Sequence, residues 1–193
     1  MILPREFYIR PVQLVARDLL GKNLIRMVGE QRVGGIILEA EAYDGEQDLA
    51  CHARVGKTER NKVMYCLGGH AYVYFTYGMH WMLNCVTGDV GYPSAVLIRA
   101  IAPTDGLDFI SAKCPKVKEK QLCDGPAKLT KALAITGELN GSDLCNPDSV
   151  LFIEAGKVIS DNHIQITPRV GIQSTPEPWL SKPWRFIADL SRN

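Results

Sequence analysis

Two carboxylates and an aromatic ring stand at alternate positions of GGIILEAEAYDG, residues 34–45. In a β-strand alternate side chains share one face, so Glu39, Glu41 and Tyr43 should point the same way. Carboxylates about 7 Å apart, by the strand rise, could serve as an acid/base pair or bind a hard metal ion. A solvated strand face is the alternative that this stretch alone leaves open.

Single polar residues interrupt two apolar stretches. Arg99 stands inside SAVLIRAIAP, residues 94–103, where a buried cation needs an anionic partner. Glu41 or Glu39 could supply that partner, either in a functional site or in a structural ion pair. Asn84 in WMLNCV either satisfies backbone groups or binds a polar ligand edge.

Basic residues and aromatic rings follow the first strand. Residues 44–65 show little apolar periodicity, and such loops on rigid scaffolds often hold binding sites. Tyrosines cluster just beyond them, in AYVYFTYG at residues 71–78. Lys and Arg beside stacked rings are typical of a nucleic-acid surface, and a solvated charged loop is the alternative. The basic residues are His52, Arg54, Lys57, Arg60 and Lys62.

Composition limits the class of protein. The chain has 193 residues, a formal charge of +1 and 46% hydrophobic residues, as expected for one globular domain spanning 1–193 without a global basic surface. Its six cysteines have neither Cys-x-x-Cys nor zinc-site spacing, so we predict reduced thiols in a cytosolic protein. Arg5, Glu6 and Arg10 interrupt the N-terminal apolar residues, which argues against a signal peptide or membrane span.

Periodicity predicts the elements that must position these residues. Three helices are expected from Pro11 to Gly21, from Thr104 to Lys113, and from the Asp124-Gly-Pro cap to Gly137. Long helices between consecutive strands are missing across 23–102, so we predict an α+β fold with a mostly antiparallel sheet. The predicted strands are 23–29, 33–43, 71–77, 81–87, 94–102, 150–154, 157–160, 164–170 and 184–188.

Seven stretches, taken in order, resemble the alkyladenine (3-methyladenine) DNA glycosylase family over about residues 3–188. They are LEAEAYDGEQDLACHAR, RNKVMY, AYVYFTYGMHWMLNCV, VLIRAIAP, LCDGPAKLTKALAI, PRVGI and KPWRFI. The resemblance implies a curved, partly open barrel-like sheet flanked by helices, with a protruding β-hairpin that inserts into DNA. It also implies an enzyme that flips a damaged purine out of duplex DNA and hydrolyses its N-glycosidic bond, leaving an abasic site. No cofactor and no metal are implied.

The resemblance assigns a catalytic role to three residues. Glu41 matches the general base that deprotonates the attacking water. Arg99 matches the arginine that helps to hold this water, and the backbone carbonyl of Val170 matches the third group that binds it. No lysine Schiff base is implied.

Four further residues match the pocket for the flipped base. Tyr43 and Tyr74 correspond to the rings that sandwich it, and electron-poor alkylated purines stack well on such rings. His52 completes the pocket and offers its backbone amide to the purine. Asn84 corresponds to the asparagine that crowds the 2-amino group of guanine.

The remaining matches concern DNA. Tyr77 corresponds to the side chain that enters the minor groove and fills the space left by the flipped nucleotide. Strand alternation and the turn at Gly78 place Tyr77 at a hairpin tip, while Tyr72 and Phe75 are assigned to the core. Further expected DNA contacts are Met79, His80, Thr58, Arg60 and Lys128. At Phe75-Thr76 and His80-Trp81 the chain departs from better-known members of the family.

Two other functions compete with this interpretation. In a non-catalytic nucleic-acid-binding module the rings would stack on single strands and the carboxylates would be structural. In a metal-dependent hydrolase Glu39, Glu41 and His52 would act with Asp44 or Asp48. The favoured hypothesis remains a glycosylase acting on 3-methyladenine, 7-methylguanine or hypoxanthine in duplex DNA. We expect a monomer that is cytoplasmic, or associated with the nucleoid in a bacterium, and that has no membrane partner.

Overall fold

One antiparallel sheet organises the protein, in a computed structural model that describes residues 1–118 and 121–189. Its eight strands in this part of the chain run in the order β3-β4-β5-β2-β1-β6, and β8 pairs with both β2 and β7. The sheet curls into a half-barrel, so the predicted α+β class with a curved antiparallel sheet is confirmed. The strands are β1 Asn23–Val28, β2 Gln31–Asp44, β3 Ala71–Thr76, β4 His80–Thr87, β5 Ser94–Asp105, β6 Leu151–Glu154, β7 Ile164–Thr167 and β8 Arg185–Ala188.

Short helices pack against this sheet. They are α1 Arg5–Tyr8, α2 Val12–Asp18, α3 Leu107–Lys113 and α4 Pro126–Ala132. Helix α2 starts at Val12, one residue after the predicted start at Pro11, and buries Val12, Val15 and Ala16 in the main core. Helix α4 follows Gly125 with proline at its first position, as predicted. None of the helices that the structure describes is long and apolar enough to cross a membrane.

Two predicted helix bounds are wrong. Thr104 does not cap α3, because β5 continues to Asp105, which still pairs with Gly34 of β2. The helix starts instead after Gly106, whose φ of +67° turns the chain away from the strand. Helix α4 ends at Ala132 rather than near Gly137, and Ala134 follows in a left-handed conformation that a helix cannot contain.

The strand predicted at 157–160 is also wrong. Residues 155–160 form neither helix nor strand, and the carbonyl of Lys157 accepts a hydrogen bond from Lys22 Nζ at 3.0 Å. The strand predicted at 164–170 is shorter, since β7 ends at Thr167 before Pro168. Proline lacks the N–H that a paired strand requires, which explains the early end.

A second, smaller core fixes the basic segment between β2 and β3. Its buried members are Cys51, Ala53, Val63, Met64, Tyr72, Val86 and Ala95. Asn61, itself buried, donates to the carbonyls of His52 at 3.1 Å and Gly56 at 2.9 Å. The segment is therefore held against the sheet rather than being a freely solvated loop. All six cysteines of the chain are free thiols.

Candidate active site

A cavity of about 310 Å³ lies over β2, β3, β4 and β5 and is bordered by the loop that carries Val170. This volume suits a single small ligand, since ligand pockets occupy roughly 300–1,000 Å³. The wall contains seven of the residues predicted from the sequence: Tyr43, His52, Tyr74, Tyr77, Asn84, Arg99 and Val170. Glu41 is fully buried behind this wall, in contact with three of its members.

Hydrogen bonds and a charge surround the Glu41 carboxylate. The Val170 N–H donates to Oε1 at 2.8 Å, and the Tyr43 hydroxyl donates to Oε2 at 2.9 Å. Burial raises the pKa of Glu41 above its ordinary value, although the Arg99 charge and both hydrogen bonds oppose this rise. A carboxylate whose pKa is raised is a stronger base than an exposed one, which suits it to accept a proton. The solvated-face alternative is therefore wrong.

Val170 meets Glu41 through its N–H, whereas the resemblance assigned its carbonyl to the attacking water. The two groups belong to different peptide units of the same residue, so one contact does not preclude the other. The carbonyl role stays a prediction.

Arg99 contacts both carboxylates that were considered as its partner. Its Nε donates to Glu39 at 2.6 Å, and its Nη1 lies 3.4 Å from Glu41. Burial by itself lowers the pKa of Arg99, but the Glu41 and Glu39 charges raise it above the ordinary value. The guanidinium is thus held as a cation at the cavity wall, where it can act on a bound group.

Aromatic rings form much of the wall. The ring of Tyr74 lies 4.5 Å from that of His52 in an edge contact and 5.3 Å from that of Tyr72, measured between centroids. The Arg60 guanidinium lies 5.3 Å from the Tyr74 centroid. Burial raises the pKa of Tyr74 to about 12 and raises the pKa of Tyr43 well above its ordinary value. Both rings therefore face the cavity as neutral, electron-rich phenols.

His52 is oriented by a phenol that was assigned to the core alone. Its Nδ1 lies 2.9 Å from the Tyr72 hydroxyl, and Tyr72 is buried yet also lines the cavity. Burial lowers the pKa of His52 to about 4, with the Arg60 and Arg54 charges acting in the same direction. At neutral pH the imidazole is uncharged and suited to stack or to share hydrogen bonds rather than to donate a proton.

Asn84 satisfies a backbone group, and its binding of a polar ligand edge stays a prediction. It is buried on β4 opposite Tyr72, and its amide donates to the Tyr72 carbonyl at 3.0 Å. The same side chain lines the cavity. Its orientation is thereby fixed by the backbone of the neighbouring strand.

The β3–β4 hairpin presents Tyr77 at an exposed tip. Tyr77 and Gly78 have φ of +51° and +66°, and Met79 N–H donates to Thr76 at 3.2 Å, which closes a tight turn. Tyr77 was predicted as the last strand residue, but β3 ends at Thr76. A tyrosine with positive φ is uncommon and costs about 1–3 kcal/mol. With 78% of its surface exposed, the ring is offered to a partner.

The assignment of Phe75 to the core is wrong. Phe75 is 45% exposed near the end of β3. Trp81 on β4 lies directly opposite and holds the Phe75 ring at a centroid distance of 4.8 Å. Gly137 leaves room for Trp81, because a Cβ there would lie 2.6 Å from the indole. Phe75 is therefore supported from behind and presented to solvent.

Comparison with known proteins identifies the family of this chain. The model of the methylpurine-DNA glycosylase (MPG) family matches residues 6–192. The chain belongs to the methylpurine-DNA glycosylase family. It is accordingly a DNA glycosylase, a hydrolase whose substrate is damaged DNA.

Relatives from distant microorganisms match almost the whole chain. A protein of Methanocella arvoryzae is 48% identical over 186 residues, covering 96% of this chain and 91% of its own. One of Carboxydothermus hydrogenoformans is 47% identical over 186 residues, with 96% and 94% covered. One of Chlamydia felis is 41% identical over 196 aligned positions, with 100% and 98% covered. Each carries the name "Putative 3-methyladenine DNA glycosylase".

Sequence reasoning missed an ion pair beneath the aromatic wall of this glycosylase. The side chains of Arg169 and Asp48 are both fully buried and form two hydrogen bonds, at 2.5 and 2.9 Å. The Arg169 guanidinium lies 4.7 Å from the Tyr43 centroid and 5.1 Å from that of Trp184. The pair supports Tyr43 from behind and fixes the residue next to Val170. The two partners are 121 positions apart, so no sequence spacing indicates the contact.

Most of the residues expected to meet DNA are exposed. Thr58, Arg60 and Lys128 are exposed, and Met79 is 67% exposed at the tip. Arg60 donates to the carbonyl of Phe75 at 3.1 Å, which ties the basic segment to the hairpin. His80 is half-buried, opposite Thr76. Lys128 on α4 pairs at 2.7 Å with Asp124, which precedes the helix, and its contact with phosphates stays a prediction.

The carboxylates of the metal-dependent alternative do not assemble. Glu39 and Glu41 face arginines, and Asp48 is paired with Arg169. Asp44 accepts hydrogen bonds from Gln13 and Tyr92, both at 2.9 Å. Among the described residues, no three His, Cys, Asp or Glu side chains gather as a metal-binding group would require.

Proposed function

We propose that this glycosylase excises alkylated or deaminated purines, of the 3-methyladenine, 7-methylguanine and hypoxanthine type, from duplex DNA. The observation that carries the proposal is the buried Glu41 carboxylate, held by Arg99, Tyr43 and the Val170 N–H behind an aromatic cavity. The names of the relatives, which refer to 3-methyladenine, support the same class of substrate.

Capture of the base follows from the form of the cavity. A flipped purine would stack between Tyr43 and Tyr74, beside the uncharged His52. Alkylated purines carry positive charge, and a cation over an aromatic face is worth about 0.5–2 kcal/mol. Tyr77 would occupy the space the nucleotide leaves, and so offset an unstacking cost of a few kcal/mol.

The chemical step is a hydrolysis. The oxygen of a water molecule bonds to C1′ as its proton passes to Glu41, and the C1′–N bond breaks with its electron pair going to the purine. A cationic lesion then departs as a neutral base, so no general acid is needed for it. Glu41 carries negative charge where the sugar becomes oxocarbenium-like, which stabilises that state. Of the described residues that line the cavity none is a lysine, in keeping with direct attack by water.

Release of the base from a defined duplex tests the proposal. A labelled duplex with one hypoxanthine, or with one 7-methylguanine, is incubated with enzyme in EDTA and then cleaved at abasic sites with alkali. Wild type should produce cleaved strand, whereas Glu41→Gln should be slower by about 10²–10⁴-fold, the usual contribution of a general base.

A matched control is Glu30→Gln, an exposed residue in the turn between β1 and β2, which should cleave at the wild-type rate. If wild type releases no base, the proposed function is wrong. Salt-sensitive binding that prefers single strands would then favour the non-catalytic binding module. Activity that EDTA abolishes would restore the metal-dependent alternative.

A further inference from the structure

One carboxylate oxygen of Glu39 accepts hydrogen bonds from two arginines. Arg99 on β5 and Arg185 on β8 each donate Nε to Glu39 Oε1, both at 2.6 Å. The two arginines come from opposite sides, because β2 pairs with β5 along one edge and with β8 along the other. From the sequence, Glu39 was a candidate for an acid/base pair, a metal site or an ion pair with Arg99, with a solvated strand face as the alternative.

The sheet is irregular at this residue. Pairing of β2 with β5 shifts register on both sides of Glu39, between Ile37 and Glu39 and again between Glu39 and Ala40. Such a bulge redirects a side chain and commonly occurs next to active sites. Here it brings the Glu39 carboxylate and the Glu41 carboxylate to the same guanidinium.

Arg99 is closer to Glu39 than to the proposed base. Its contact with Glu39 is 2.6 Å, and its contact with Glu41 is 3.4 Å. The short Nε hydrogen bond therefore fixes the guanidinium at Glu39, while the fully buried Glu41 still has the larger charge interaction with it. With Arg185 included, two cations face two carboxylates, and the group is neutral overall.

We propose that Glu39 is a positioning residue that draws Arg99 away from Glu41 and so preserves Glu41 as a base. Without Glu39, Arg99 would be free to pair closely with Glu41. A tightly paired carboxylate accepts a proton less readily. This inference rests on the proposed function of Glu41.

The groups that face Glu41 define the direction of the effect. They are Arg99 from β5, Tyr43 and Glu39 from β2, Tyr74 from β3, the Val170 N–H from the loop before β8, and Arg185, the residue of β8 that pairs with Glu41. Burial raises the pKa of Glu41 most, the Arg99 charge lowers it, and the Glu39 charge raises it. Neutralising Glu39 therefore removes one contribution that raises the pKa and strengthens one that lowers it.

The pH dependence of base release tests this inference. The substrate is a duplex with one 7-methylguanine, whose departure needs no protonation, and single-turnover rates are measured for wild type and Glu39→Gln. Glu41 must be ionised to act, so the rate falls at low pH. In Glu39→Gln this acid limb should move to lower pH. The plateau rate should also fall, but by less than the roughly 10²–10⁴-fold expected for Glu41→Gln.

Further variants separate this role from a structural one. Glu39→Asp keeps the charge and should keep the acid limb nearer to its wild-type position than Glu39→Gln does. If Glu39→Gln does not fold, the double variant with Arg185→Met restores charge balance and is compared with Arg185→Met alone. An acid limb that stays in place in a folded variant lacking the Glu39 charge overturns the inference. Absence of release by wild type would defeat the proposed function instead.

Discussion

Asp48→Asn should strongly destabilise the fold, although asparagine has nearly the same size and shape as aspartate. Both side chains of the Asp48–Arg169 pair are fully buried, and Asp48 receives two hydrogen bonds from the guanidinium. The variant leaves Arg169 as a buried cation whose other hydrogen-bond partners are the carbonyls of Ala42 and Trp179. Breaking a buried pair in this way costs about 3–5 kcal/mol. For a protein of this size that loss lowers Tm by roughly 6–20 °C.

Chemical denaturation followed by tryptophan fluorescence measures this loss, since Trp184 lies beside the Arg169 guanidinium. The matched control is Asp124→Asn, which removes the same charge from an exposed pair with Lys128. Exposed pairs contribute about 0.2–1 kcal/mol, so the control should change little. Equal small losses in both variants would refute the reasoning, because they would show that burial does not strengthen the dependence of Arg169 on Asp48.

Two other variants test how the pocket and the hairpin are held. Tyr77→Asn should raise the free energy of unfolding, by up to about 1–2 kcal/mol, because asparagine tolerates positive φ. The same variant should slow base release from duplex DNA. A variant less stable than wild type would count against backbone strain at the hairpin tip. Tyr72→Phe removes the hydroxyl beside His52 Nδ1 and should cost about 0.5–1.5 kcal/mol of stability. The same variant should weaken lesion binding, measured by titration of lesion duplex, and unchanged affinity would mean that Tyr72 does not orient His52.

Sheet strands were predictable because each apolar run has a clear period and ends near glycine or proline. The α+β class followed from the lack of long helices between consecutive strands. Errors occurred where tertiary pairing overrode a local signal. Thr104 has the chemistry of a helix cap, yet continued pairing of β5 with β2 keeps it in a strand. Residues 157–160 have the composition of a strand, but the Lys157 carbonyl accepts a hydrogen bond from the Lys22 side chain instead of from a neighbouring strand.

The predicted site residues come together because they stand on neighbouring strands or on the segments that border them. Glu41 and Tyr43 on β2 lie beside Arg99 on β5, and Asn84 on β4 completes the run. Strand alternation and lone polar residues were sufficient signals for these positions. Their individual roles came from the family resemblance, because no periodic pattern distinguishes a base from a structural carboxylate.

The supporting residues were harder to predict, because their partners are distant in sequence. Phe75 has the composition of a core residue, and only the fold shows that Trp81 lies behind it and solvent in front. Arg169 belongs to a loop that contacts β2 only in the folded protein. Contacts of this kind form only in the folded chain, so the spacing of residues in the sequence does not indicate them.

Two features of the proposed site, the buried Glu41 carboxylate and the positive φ of Tyr77, lower the stability of the fold. Folding raises the pKa of Glu41, so this group lowers stability once the pH exceeds the ordinary carboxyl pKa, and does so fully above the raised pKa. The positive φ of Tyr77 imposes a similar cost at the hairpin tip. The buried Asp48–Arg169 pair behind Tyr43 holds the cavity wall in place, and breaking it would add a further cost. A substitution in these supporting residues should therefore affect stability first, and base release only through the position of the ring or carboxylate that it supports.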